Sequence, residues 1–130
     1  MAQTKNLSAS HIKYLLTIID LDKNGAGVRS VRVAESLGIS KPSVHNMMKT
    51  FVEMGLIQKN SYGKAVFTRD GQLAAARYER YYGSVSDVLK KAMPEVCDVS
   101  QLALAALSIL SDRELKSIGE RVNDKDSIAN

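Results

Sequence analysis

The chain of 130 residues has a single cysteine, Cys97, so no disulfide can close within it, and a reducing cytoplasm is the expected setting. No apolar run approaches the ~20 residues that a membrane-spanning helix needs. Residues 1–6 are polar and lack the apolar stretch of a secretory signal. There is no internal repeat and no low-complexity tract. Nor is there a histidine paired with a carboxylate at a recognisable spacing, a glycine-rich phosphate loop or a cluster of metal-ligand types, so an enzyme is not expected. Without a neighbouring histidine base, Cys97 reads as a buried, unreactive thiol.

What remains is ordinary globular material, 45% hydrophobic and 25% charged. Its charge is unevenly placed. Residues 1–70 hold ten Lys/Arg against five Asp/Glu, while residues 71–130 hold eight against nine. A basic first half suits a polyanionic partner, a weak signal by itself.

The periodicity carries more. Ile12, Leu15, Leu16 and Ile19 recur at helical spacing behind possible caps at Ser8 and Ser10, and Asn24-Gly25 with Gly27 ends that helix. Ser30 is placed to cap a short second helix with Val31, Ala34 and Leu37 inward, stopped at Gly38. Ser40 then caps a third helix with Pro42 in its first turn. Val44, Met47, Met48 and Phe51 form its inward stripe, opposite Ser43, His45, Asn46 and Lys49. Residues 56–59 and 65–68 read as a β-hairpin around a turn at residues 60–64. Beyond it, Thr68 and Asp70 offer caps to a long helix facing inward with Leu73, Ala74, Tyr78, Tyr81, Tyr82, Val85, Val88, Leu89 and Ala92, interrupted at Pro94. Ser100 opens a strongly apolar helix over residues 102–110, and Ser111 with Glu114 forms a capping box for a last helix to about Val122.

Two short helices, a third with a polar face and a hairpin with a basic tip follow one another in the order of a winged helix-turn-helix. In that arrangement the third helix enters the major groove. Asn46 is placed for adenine, Lys49 for guanine or phosphate, and the first-turn N–H groups at Ser43 and Val44 for a phosphate. His45 shares this face, Pro42 lies at the helix start, Lys41, Lys59 and Lys64 sit at the edges for phosphates, and Tyr62 with Lys64 marks the hairpin tip. The expected division is residues 1–70 as the DNA-binding domain, 71–122 as a helical dimerisation region and 123–130 as a flexible tail. The helix over residues 102–110 is apolar nearly all round, so it must be buried in the core or against a partner.

Val33-Ala34-Glu35-Ser36-Leu37-Gly38-Ile39-Ser40-Lys41-Pro42-Ser43-Val44, then Gly55-Leu56-Ile57, then Tyr62-Gly63 through Phe67-Thr68-Arg69-Asp70-Gly71, resemble the diphtheria-toxin-repressor family of iron- and manganese-responsive repressors. The resemblance covers roughly residues 8–82. It implies a mainly α fold, a winged helix followed by helices that pair two subunits, with metal ions between the two parts. The family's ligands do not carry over. Lys13 and Leu16 stand where it has an acidic pair, Tyr82 where it has a histidine, and Cys97, Ser100 and Gln101 where it has a further cluster. One soft ligand does not make a transition-metal site.

The expectation is therefore a cytoplasmic, homodimeric regulator that binds double-stranded DNA, with no metal, no other cofactor and no membrane partner. The sequence names no effector. Two alternatives stand beside it: a winged-helix module that docks a protein, and a metal-responsive repressor with a site rebuilt from His11, Glu79, Asp87, Glu95 and Asp98.

Overall fold

The computed structural model describes residues 7–129, with side chains to Asn123. Residues 1–6, read above as a polar start, lie outside the described residues. The elements run α1 (Ala9–Leu21), α2 (Ser30–Leu37), α3 (Lys41–Glu53), β1 (Ile57–Lys59), β2 (Ala65–Phe67), α4 (Arg69–Ala92), α5 (Ser100–Ile109) and α6 (Asp112–Ala129). Contacts divide the chain into two compact units, the first holding Lys13–Ala76 and the second residues 7–12 with 77–129, so the division falls inside α4. Among the described residues no helix is long and apolar enough to cross a membrane.

In the first unit the core is built from Tyr14, Leu15, Ile18, Val33, Val44, Met48, Phe51, Leu56 and Ile57, all 7% exposed or less. The inward stripe of α1 differs from its expected position: Leu16 and Ile19 are half-buried, and Tyr14 and Ile18 take the inner places. The Tyr14 ring meets Phe51 edge-on, centroids 6.3 Å apart. Tyrosine carries a polar tip on an apolar body, which hides it from a pattern search, and burial pushes its phenol pKa up.

α2 starts one residue earlier than its sequence implies. Arg29 is the N-cap and gives no side-chain bond, while Ser30 is already helical; Gly38 closes the helix in the left-handed region at φ 66°. Val33 rather than Val31 or Leu37 joins Ala34 in the core.

The hairpin is short, with Ile57 opposite Phe67, Gln58 opposite Val66 and Lys59 opposite Ala65. Asn60 builds its turn, the side-chain oxygen accepting from the N–H groups of Tyr62 at 2.9 Å and Lys64 at 3.0 Å. The linker after α1, read from sequence as turn alone, adds a third segment. Val28 and Ala65 exchange backbone hydrogen bonds of 2.9 and 2.8 Å. Gly27 lies so close to the hairpin that a Cβ there would stand 2.8 Å from the Lys64 Cβ.

Thr68 closes the unit. Its hydroxyl donates to the Gly55 carbonyl at 2.6 Å and accepts from the Gly71 N–H at 3.0 Å, capping α4 while tying it to the end of α3. A Cβ at Gly71 would collide with the Leu56 carbonyl. The Thr68-x-x-Gly71 spacing is thus a packing requirement.

In the second unit, Tyr78 and Val85 of α4, Val99, Ala103, Leu104 and Leu107 around α5 and Leu115 of α6 are buried. Of the residues expected on the inner face of α4, Leu73, in the part of the helix that belongs to the first unit, and Ala92, in the second, are exposed. α5 is capped not by Ser100 but from Asp98, whose carboxylate accepts the Ser100 N–H at 2.9 Å. That bond lowers the Asp98 pKa below its ordinary value. The capping box of α6 forms as expected: the Ser111 N–H donates to Glu114 at 2.9 Å and the Glu114 N–H to the Ser111 hydroxyl at 3.1 Å. α6 continues to Ala129 instead of ending near Val122, since no glycine or proline follows Gly119 to stop it.

Candidate nucleic-acid interface

The N-terminus of α3 is fixed by Ser40. Its hydroxyl accepts from the Ser43 N–H at 3.3 Å and donates to the Ser43 hydroxyl at 2.9 Å, with Pro42 in the first turn. Val44, Met48 and Phe51 are buried on one side and Met47 is half-buried. Lys41, Pro42, Ser43, His45, Asn46 and Lys49 are all exposed on the other. The buried stripe therefore sets the rotation of the helix and presents its hydrogen-bonding groups outward.

His45 and Lys49 are one turn apart and line a groove of about 280 Å³ with Met48, Val52 and, from β1, Lys59. Three of the sequence-predicted residues thus come together, joined by Val52, which the sequence reading passed over although it is 45% exposed. Tyr62 stands apart at the hairpin tip, 77% exposed. Lys64, expected beside it, lines a different groove, which it shares with Arg29 and Arg32. The sequence reading missed those two arginines; their one signal was membership of the basic first half.

A helix whose exposed face carries short donors, flanked by a basic hairpin, is the geometry of major-groove recognition. Residues 6–65 match the family described as iron dependent repressor, N-terminal DNA binding domain. That stretch is similar to the DNA-binding domain of the iron-dependent repressors. Solved structures share this domain's winged-helix fold and the helices after it. The manganese regulator SloR superposes with a TM-score of 0.76 at 20% identity, over 87% of this chain and 53% of that one. ScaR, solved with bound Zn²⁺, gives 0.70 at 18% identity over the same shares. The chain spans about half the length of both. The hypothetical protein SSo2273 from Sulfolobus solfataricus gives 0.61 at 20% identity and covers 91% of each chain. No curated protein sequence matches the chain.

The repressor family's name implies iron, and the residues here do not fit it. At the positions where the resemblance looks for ligands, Lys13 is an exposed cation, Leu16 a half-buried hydrocarbon and Tyr82 a half-buried phenol. Cys97, expected buried, is exposed. Among the described residues no three His, Cys, Asp or Glu side chains gather as a ligand set. The tyrosines of α4 pack instead: Tyr78 is buried and meets Tyr81 edge-on at 6.4 Å. Burial, more than the nearby Asp112, raises the Tyr78 pKa.

Proposed function

We propose that this chain is a member of the iron-dependent repressor family and a cytoplasmic, homodimeric transcription regulator, acting as a repressor, that reads a specific duplex sequence without a metal ion. The observation that carries the reading is the exposed face of α3, where Ser43, His45, Asn46 and Lys49 stand out from a fully buried Val44, Met48 and Phe51, with Lys59 of the hairpin across the groove. Asn46 reads adenine and Lys49 guanine or phosphate. His45 faces the same groove. Ser43 and Pro42 sit at the helix start against a phosphate, Lys41, Lys59 and Lys64 contact phosphates, and Tyr62 meets the backbone or minor groove beyond the hairpin tip.

Homodimer formation is supported by α5, where Leu102 is 45% and Ile109 79% exposed on one face of an otherwise apolar helix. Two half-sites also supply base contacts that one short helix lacks. Independence from metal is supported by the donor chemistry above: an ammonium repels a divalent cation and a hydrocarbon offers it no lone pair.

The test is binding to duplex DNA from upstream of the protein's own gene at two salt concentrations, with manganese or iron and with a chelator. Four lysine contacts per protomer predict at least about a hundredfold loss between roughly 50 and 200 mM salt. Equal affinity in metal and chelator is expected. Binding that appears only with metal overturns metal independence, and no binding at low salt overturns the DNA-binding reading.

A further inference from the structure

In the second unit, α4 and the turn between α5 and α6 enclose a groove of about 440 Å³. Tyr78, Leu107 and Leu110 form its apolar side, and Ser111, Asp112 and Arg113 its polar rim. Tyr78 and Leu107 are buried, whereas all three rim residues are exposed. An apolar floor of this size with a few polar groups at one edge suits a small molecule.

The backbone fixes that rim. The Leu110 N–H donates to the Ala106 carbonyl at 2.8 Å and ends α5, and the Leu115 N–H donates to the Ser111 carbonyl at 2.9 Å and starts α6. The capping box then ties Ser111 to Glu114 in both directions. Asp112 and Arg113 are consecutive in the first turn of α6, where neighbouring side chains diverge and do not face each other. Opposite charges on one edge, turned too far apart to neutralise each other, call for a ligand that carries both signs. Burial raises the Tyr78 pKa, so the floor beneath them stays uncharged at neutral pH.

We propose that this groove binds a free α-amino acid with a large apolar side chain, the Arg113 guanidinium taking its carboxylate, the Asp112 carboxylate its ammonium, and Tyr78, Leu107 and Leu110 its side chain. A guanidinium meets both carboxylate oxygens at once through its planar fork. Charges at an exposed rim contribute little each, so burial of the side chain supplies most of the affinity and the two charges select the ligand. A simple carboxylic acid sets its anion against Asp112, and a simple amine sets its cation against Arg113. The site stands whether or not α3 reads DNA.

The experiment is an NMR titration of the full chain with leucine and with phenylalanine, beside N-acetyl-leucine, which lacks the ammonium, and leucine methyl ester, which lacks the carboxylate. Resonances of Tyr78 and residues 110–115 should move and saturate, with leucine at least about threefold tighter than either derivative. Arg113→Gln should weaken leucine about threefold and leave the methyl ester unchanged, while Asp112→Asn should weaken leucine and leave N-acetyl-leucine unchanged. The derivative series on the unaltered chain needs no variant to fold. No saturable shift up to about 10 mM of either amino acid, or shifts confined to other residues, overturns the proposal. Equal binding of leucine and both derivatives overturns it too.

Discussion

Helices α3 and α5 are close in length and opposite in what they leave exposed. α3 buries Val44, Met48 and Phe51 and shows solvent a face of lysine, histidine, asparagine and serine. α5 buries Ala103, Leu104 and Leu107 and still leaves Leu102 and Ile109 uncovered. Burial of one face holds each helix in place, so the other face is free to be chosen for its partner. Charged and hydrogen-bonding groups meet a polyanion and weaken with salt; uncovered leucine and isoleucine call for another protein surface and respond little. On the function proposed above, the two halves of the chain should therefore have different solution signatures.

The comparison can be broken most severely at its shared premise, the buried stripe. Phe51→Ala empties a site with 0% exposure and loses the Tyr14 ring contact, so denaturant unfolding should show a loss of about 3–5 kcal/mol, with DNA binding lost as well. Next comes the α5 face. Leu102→Asp with Ile109→Asp should give a folded monomer by sedimentation at low and high salt alike. Operator affinity should fall on the order of a hundredfold as the second half-site is lost. A dimer that survives would move the interface elsewhere.

On α3, Asn46→Ala with Lys49→Ala should leave the dimer and the melting temperature unchanged and remove about 1–3 kcal/mol of discrimination per base contact. Retained operator preference would displace the reading face. The smallest effect concerns acid. The Ser111 N–H holds the Glu114 carboxyl below its ordinary pKa although the group is fully exposed. Its contribution is present above the unfolded carboxylate range and disappears as pH falls through the lowered folded value. In Glu114→Gln the slight acid destabilisation from this box should vanish from the pH dependence of unfolding.

Much of this was legible in the sequence. Apolar spacing placed α3 and its exposed residues, Gly38 and Ser40 marked the turn, and Ser111 with Glu114 marked the start of α6. Features depending on contacts between distant residues were not legible. Nothing local says that Val28 will pair with Ala65. Tyr14 and Ile18 are buried where Leu16 and Ile19 are only half-buried, and the ring that meets Tyr14, Phe51, lies on another helix. Ser100 is already the first residue of α5, and the Asp98 carboxylate two residues before it accepts its N–H, a one-residue shift of the helix start that composition does not fix.

Gly71 has an implication for how such a domain diversifies. Any side chain there strikes the Leu56 carbonyl, whereas Asn46 and Lys49 point away from the core and bear none of its packing. Under saturation mutagenesis position 71 should be frozen and position 46 permissive for folding, so, if the proposed reading face is correct, drift can rewrite the operator a lineage recognises while the scaffold beneath is held still.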